Sequence, residues 1–408
     1  MGTMMTTLSQ ILTKEDKAGS RQRILVFPFN LLSHYLRCLQ LCDELKDTHE
    51  IIFAYSPKYE RWINEKGYTT FPFTDFDAAM VMEYAVRFDF SWMEEKNLEK
   101  VFKQQVEIIN HYKPHLIIGD ASMTLRMASE YCSVKYIALL NGYMSKYYAF
   151  TRRLPQTHPA FKYSKKVPAF LFDKITNVAE KFVFGHVHAP FRRLRKKYGL
   201  KSKKYLPDEM EGDITLLCDL PEIFPQVNLP DNYHFIGPLY YDEPAPEPEI
   251  KSFISSGKKN ILVTMGSTGN VSKLTWLAEP EYSKYNIIVS GDKTPRMNAG
   301  HICVRGFIHN TAIMDSMDVV ICHGGNGTIY QALAYGVPLL ASTSIFEQEY
   351  NMERIREMKL GDYLLNNEVP TNERIKQLDY WISQKNNPAL RNIKREISQY
   401  RKVHATEY

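Results

Sequence analysis

The stretch from Val319 to Arg354, VVICHGGNGTIYQALAYGVPLLASTSIFEQEYNMER, leaves few folds open to this chain. Val319-Val320-Ile321-Cys322 is a short apolar run, the pattern of a strand buried on both faces. The glycine-rich His323 to Thr328 follows without a spacer. Ile329, Ala332 and Leu333 then recur at helical spacing until Gly336-Val337-Pro338 stops the helix. Leu339-Leu340-Ala341 restarts the sheet, with Glu347, Gln348 and Asn351 beyond its end. Such a β-turn-helix-β unit carries an anion site in its turn. Glycines let the backbone approach a ligand, and the N–H groups of the helix start face a negative group with the helix dipole behind them. Open parallel sheets bind ligands beyond the carboxyl ends of their strands, where both polar clusters fall. On residues alone the turn suits a pyrophosphate, in a dinucleotide site or another phosphate site.

Beyond its glycines, the stretch resembles the donor-binding signature of the UDP-glycosyltransferases, nucleotide-sugar enzymes of the two-domain GT-B fold. Their pattern is roughly H-x-G-x-x-[ST]-x-x-E-A-x-x-x-G-[VI]-P, followed by an acidic residue, Gln and Asn. His323, Gly325, Thr328, Ala332, Gly336, Val337, Pro338, Glu347, Gln348 and Asn351 fall on it in order. The resemblance implies an α/β chain of GT-B type, two Rossmann-like doubly wound domains facing each other across a cleft. It implies a donor held at His323, Gly325, Asn326, Gly327 and Thr328, with Glu347 and Gln348 on sugar hydroxyls. One position departs from the family: Gln331 stands where its ribose-binding Glu is expected. An amide accepts a ribose hydroxyl but lacks the charge-assisted pair of a carboxylate. A UDP-sugar is the expected donor, and a dTDP-sugar, which has no 2′-hydroxyl, is the alternative.

A chain of 408 residues suits two domains. No apolar run reaches the ~18 residues of a membrane span. The net charge of +5 is too mild to point to nucleic acid. Cys38, Cys42, Cys132, Cys218, Cys303 and Cys322 lie in apolar segments without a His/Cys zinc pattern. Reduced core thiols, a cytoplasmic location and no metal are expected.

Residues 1–22 read as a flexible N-terminal segment and 23–241 as an acceptor-binding Rossmann-like domain. The Pro/Glu-rich 242–250 reads as an extended linker and 251–385 as the nucleotide-sugar-binding domain. The resemblance implies that 386–408 is a helix returning to the N-terminal domain. The first domain opens with a strand, Arg23 to Pro28, a turn, a helix and a second strand, Ile51 to Ala54. His34 lies just past the first strand, where a capping or solvated role is the simplest reading. The segment FPFNLLSHYLRCLQLCDEL, however, resembles the family's opening strand–loop–helix without its frequent glycines, which makes His34 the implied catalytic base. Asp120 ends a further apolar strand, Leu116 to Asp120. It suits a cap for a helix expected over Ser122 to Tyr131, and the resemblance makes it the residue that orients His34.

Phe73, Phe90, Trp92, Tyr143 and Tyr147 belong to an unusually aromatic region, part core and part lining for an apolar acceptor pocket. Asp75-Phe76-Asp77 spells the DxD of metal-dependent glycosyltransferases, off any matching strand context. The basic run over 191–204 is a solvated helix face or a peripheral contact with anionic lipid. Gly266, Ser267 and Thr268 form a second glycine-rich turn resembling the family's donor-contacting loop, and Phe307 stands at the place of its base-stacking aromatic. The implied activity is inverting, metal-independent transfer of a hexose to a hydroxyl of an apolar or aromatic small molecule, with no cofactor beyond the nucleotide-sugar co-substrate. A non-catalytic binding or activating partner and a lipid glycosyltransferase at the membrane surface are the alternatives.

Overall fold

The computed structural model describes residues 21–242, 248–254, 257–266, 269–291 and 297–405. The chain divides into two compact units. The first runs to Leu239 and takes in the chain's end from Val403; the second spans Tyr240–Lys402. Residues 1–20 of the expected N-terminal segment and most of the expected linker lie outside the described residues, and Gln22, expected in that segment, opens the first strand.

Seven strands form the sheet of the first unit: β1 (Gln22–Pro28), β2 (His49–Ala54), β3 (Thr69–Phe71), β4 (Leu116–Asp120), β5 (Lys135–Leu140), β6 (Ile214–Leu217) and β7 (Tyr233–Phe235). Their order is β3-β2-β1-β4-β5-β6-β7, and every pairing is parallel. Strand order therefore reverses between β1 and β4, the switch point at which open α/β sheets form a ligand crevice. Alternate residues of β1 feed two cores. Leu25 and Phe27 join Ile117 on one face, while Ile24 and Val26 join Ile118 on the other. Covering both faces makes these strands continuously apolar. Each fully buried Leu, Ile or Phe contributes about 1.5–3 kcal/mol.

Among the helices of this unit, α1 (Leu32–Asp43) follows β1, α2 (Leu125–Cys132) follows β4, and α3 (Ala169–Val187) leads directly into α4 (Ala189–Lys197). The helix expected at Ser122 starts three residues later. Ala121 has a left-handed backbone (φ 55°) that breaks the chain after β4. Gln105 then holds the connection: its Nε2 donates to Ser122 Oγ (3.1 Å) and its Oε1 accepts from Thr124 Oγ1 (2.8 Å). Thr124 occupies the N-cap position, so Asp120 is not a cap.

The second unit repeats the logic with β8 (Lys259–Thr264), β9 (Tyr285–Ser290), β10 (Ile302–Arg305), β11 (Val319–Cys322), β12 (Leu339–Ala341) and β13 (Gly361–Tyr363). Their order is β10-β9-β8-β11-β12-β13, all parallel, with the reversal between β8 and β11. Helices α5 (Asn326–Ala334) and α6 (Phe346–Glu357) follow β11 and β12, and α7 (Pro388–Ala405) ends the described chain. Both units are thus doubly wound parallel sheets, the class expected.

Candidate active site

Register places the first cluster. Pro28 pairs with Asp120 across β1 and β4, so the carboxyl ends of these strands lie side by side at the switch point. The α1 helix starts a few residues beyond β1 and carries His34 in its first turn. His34 Nδ1 lies 2.9 Å from Asp120 Oδ1. Asp120 is 1% exposed and has a second partner that sequence reading missed. Arg37, one turn after His34 and buried, grips both carboxylate oxygens: Nε donates to Oδ2 at 2.8 Å and Nη2 to Oδ1. Its Nη1 donates to Asn141 Oδ1, just past the end of β5. Burial by itself raises the Asp120 carboxyl, but the charges of Arg37 and His34 outweigh it and hold the group down at about 2. The carboxylate is therefore ionised throughout the neutral range. The one local sign of Arg37's role is its place among Tyr35, Cys38, Leu41 and Cys42, on the face of α1 that packs inward.

Around this cluster Asp75 and Asp77 play separate parts. Asp77 caps the helix Ala78–Val86, its Oδ1 accepting from Ala79 N (2.8 Å) and Met80 N (3.0 Å). Asp75 accepts from Phe76 N (2.8 Å), and its Oδ2 is shut away from solvent without a hydrogen-bond partner. Burial pushes its carboxyl up to about 7, against the opposing pull of that N–H and of the nearby His34.

The second cluster sits at the β8/β11 switch point. His323 follows β11, and its ring is held between two glycines. A Cβ on Gly325 would lie 2.3 Å from His323 Nε2, and one on Gly266 would lie 2.6 Å from Cε1. Only glycine leaves room for the imidazole at these places. His323 is 8% exposed, burial lowers its pKa to about 4, and its Nδ1 has no hydrogen-bond partner. The ring is neutral at pH 7. Gly325 takes the N-cap position of α5 without a side-chain cap, and Asn326, Gly327 and Thr328 make up the first turn of the helix. A Cβ on Gly327 would meet nothing within 4 Å.

The polar residues beyond β12 serve the backbone. Gln348 is buried, and its Oε1 accepts from Ser344 N (2.7 Å) and Ile345 N (3.3 Å), closing the start of α6. Asn351 Nδ2 donates to Gly324 O (3.0 Å) and fixes the turn after β11. Glu347 is half-buried in the first turn of α6. Gln331 is engaged at both ends of its amide: Nε2 donates to Tyr241 O (2.8 Å) and Oε1 accepts from Asn310 Nδ2 (3.3 Å). Phe307 is 42% exposed, edge-on to His309 at 5.2 Å between ring centres. Ser267 and Thr268 lie outside the described residues.

The aromatic set divides. Trp92 packs edge-on against Phe76 (5.0 Å), and Tyr143 lies 5.9 Å from Phe224; both are buried and offer a ligand almost no surface. Phe73, Phe90 and Tyr147 are partly buried at the margins of the core. The basic run over 191–204 is paired in part. Arg195 is buried on Glu209, Arg193 meets Glu95 at 2.6 Å and Lys197 meets Glu99 at 3.0 Å.

Two parallel-sheet units, with a His–Asp pair at one switch point and a glycine-held histidine before a helix start at the other, define a class, and comparison with known proteins agrees with it. Residues 260–406 match the glycosyltransferase family 28 C-terminal domain. A PGL/p-HBAD biosynthesis glycosyltransferase of Mycobacterium tuberculosis (strain ATCC 25618 / H37Rv) is 25% identical over 353 residues, covering 85% of this chain and 81% of the relative. Among solved structures, the spinosyn forosaminyltransferase SpnP superposes with a TM-score of 0.65 at 17% identity over 93% of this chain and 96% of its own. The glycosyltransferase VinC in complex with DTDP gives 0.61 at 18% identity over 94% and 100%. The chain thus has the GT-B fold of these glycosyltransferases, and its second unit is similar to the family 28 C-terminal domain.

Proposed function

We propose that this glycosyltransferase moves a sugar, with inversion, from a nucleoside diphosphate sugar to a hydroxyl of an apolar acceptor. The observation that carries the reading is the 2.9 Å approach of His34 Nδ1 to Asp120 Oδ1. An ionised Asp120 that accepts from Nδ1–H leaves Nε2 as the basic nitrogen of the imidazole. As the acceptor oxygen bonds to the anomeric carbon, the bond from that carbon to the diphosphate oxygen breaks. His34 Nε2 takes the acceptor's proton, and the nucleoside diphosphate leaves. Base catalysis of this kind is worth ~10²–10⁴-fold. Arg37 acts as a positioning residue, fixing the carboxylate that fixes the imidazole.

The leaving diphosphate is stabilised at the first turn of α5, where backbone N–H groups and the helix dipole meet its charge. Glu347 is the residue proposed to hold a sugar hydroxyl; Gln348 and Asn351 shape the turn beside it. Phe307 is exposed enough to stack on a pyrimidine. The engagement of both ends of Gln331 leaves no side chain at that place committed to a ribose 2′-hydroxyl. This favours a dTDP-sugar over the UDP-sugar that the signature alone suggests, and VinC, of the same fold, was solved with DTDP.

Transfer and donor hydrolysis with a panel of UDP- and dTDP-sugars, against mixed phenolic and lipid acceptors, test the reading. The wild type is expected to turn over a dTDP-sugar, and His34→Ala to lose ~10²-fold or more in kcat while still binding nucleotide. Nucleotide binding without turnover in the wild type on any acceptor of the panel would favour a binding or activating partner. Absence of any nucleotide binding would refute the donor site.

A further inference from the structure

The helix α3 presents two different sides. Its inner side is anchored. Glu180 pairs with Arg152 at 3.1 Å, Asp173 lies 3.8 Å from Arg153, and Asn177 Nδ2 donates to Thr151 Oγ1 at 3.2 Å. Phe184 and Val187 pack against the core of the first unit. The outer side carries Phe170, Leu171, Ile175, Val178, Phe182 and Val183, all exposed. Val178 and Phe182 are 71% and 76% exposed, close to what a free helix would show. Leu171, Ile175, Val178 and Phe182 recur at spacings of four, three and four residues, which brings them onto one side, with Phe170 and Val183 on its two flanks. Monomeric proteins rarely leave so long an apolar stripe in water without a partner for it.

The charges around the stripe select the partner. Lys174 and Lys181 are exposed along it. The two carboxylates of the helix, Asp173 and Glu180, are less exposed and engaged by Arg153 and Arg152 on the inner side. Just before α3, the turn Pro159–Lys166 holds an exposed tyrosine, Tyr163, with Lys162 and Lys166 poised 5.2 Å and 5.7 Å from its ring centre. An apolar stripe edged by lysines, with an amphipathic aromatic beside it, complements a surface that is apolar within and anionic at its rim. A bilayer of anionic phospholipid is that surface. A protein partner would have to bring the same combination.

We propose that α3 is an interfacial helix that docks the enzyme on anionic membranes. Val178 and Phe182 enter the acyl boundary, Lys174 and Lys181 lie at the level of the phosphates, and Tyr163 rests among the headgroups. No described helix is long and apolar enough to cross a membrane, and this docking needs none. The site differs from the basic run over 191–204, where Arg193, Arg195 and Lys197 pair with Glu95, Glu209 and Glu99 and no apolar stripe runs alongside. It stands apart from the transfer chemistry, since vesicle binding can be read without any turnover.

The test is cosedimentation of the full chain with vesicles of phosphatidylcholine alone and of phosphatidylcholine with phosphatidylglycerol. The wild type is expected on the anionic vesicles, roughly tenfold less on the neutral ones, and less at high salt. V178D/F182D and K174E/K181E are each expected to lose roughly tenfold or more of that binding. Circular dichroism and nucleotide binding check that the variants are folded; these side chains lie in solvent, so both should be unchanged. Equal sedimentation of wild type and V178D/F182D, or no sedimentation of the wild type on anionic vesicles, overturns the proposal. So does a wild-type dimer in the absence of vesicles that V178D/F182D converts to a monomer, because α3 would then be an interface between copies of this chain.

Discussion

Asp120 is a carboxylate with almost no water around it, and Arg37 is what makes that tolerable. The bidentate grip of Arg37 replaces hydration by charge-assisted hydrogen bonds, and His34 Nδ1 lies 2.9 Å from the same carboxylate. Removing the cation alone strands the charge. Arg37→Leu is expected to destabilise the first unit by about 3–5 kcal/mol, the usual loss when one partner of a buried pair is deleted. Adding Asp120→Asn removes the stranded charge and should recover part of that loss. Urea unfolding of the two single variants and the double variant measures it; simple additivity would mean that the pair is not coupled. The second histidine depends on space where the first depends on charge. Gly325→Ala puts a methyl group 2.3 Å from the present position of His323 Nε2, so the ring or the turn must shift. Overpacking of that kind costs about 1–3 kcal/mol, and nucleotide affinity should fall with it. Calorimetric titration of nucleoside diphosphate into this variant is the check; unchanged affinity would separate the ring's position from donor binding.

At the scale of elements, each site sits where a strand end, a short turn and a helix start coincide, and the end of the helix carries as much of the design as the residues proposed to touch ligand. Gln348 illustrates this. The signature assigns it a sugar hydroxyl, whereas its Oε1 accepts the backbone N–H groups of Ser344 and Ile345 at the start of α6. Gln348→Ala should cost about 1 kcal/mol, as the loss of a helix cap does. Gln348→Glu keeps an acceptor there and adds a charge that the helix dipole favours, so its melting temperature should stay within a degree or two of wild type. Thermal melts of the two variants distinguish a cap from a group held free for ligand. What was legible in the sequence follows the same division. The run from Val319 to Thr328 contains its strand, its turn and its helix start within a few residues, and the structure places all three there. Arg37 was not legible, because its partners Asp120 and Asn141 are 83 and 104 residues away and only the β1–β4–β5 neighbourhood unites them. Which aromatics of the region line a pocket and which, like Trp92 and Tyr143, are core is not legible, because composition cannot tell a lining aromatic from a buried one. The outer side of α3 is not legible for the opposite reason: apolar spacing shows which residues share a side, and says nothing about whether that side is covered.

On the scale of the whole molecule, the chain builds one device twice, a histidine at the switch point of a parallel sheet, and gives the two histidines opposite surroundings. His34 stands against an ionised carboxylate and a guanidinium, whereas His323 is enclosed between glycines and burial is what moves its pKa. The second arrangement makes stability depend on pH. The His323 pKa falls from 6.5 in the unfolded chain to about 4 in the fold, because burial disfavours the imidazolium. Between those values the unfolded state binds a proton that the folded state refuses. Stability is therefore full above pH 6.5 and is lost as the pH falls toward 4, up to about 3 kcal/mol and about 2 kcal/mol of it by pH 5. The depressed carboxyl of Asp120 acts lower down, its contribution being present above about pH 4 and lost as the pH falls toward 2. Asp75, raised to about 7 in the first unit, titrates across the His323 range with the opposite sign and gains stability as the pH falls, so the His323 contribution is read as a difference between wild type and variant. Between pH 7 and pH 5 the unfolding midpoint of the wild type should fall relative to that of His323→Asn, which has nothing to titrate at this position. If the variant keeps the full wild-type slope, the buried ring is not what sets the acid limit of the second unit, and His323 titrates in the fold much as it does in water.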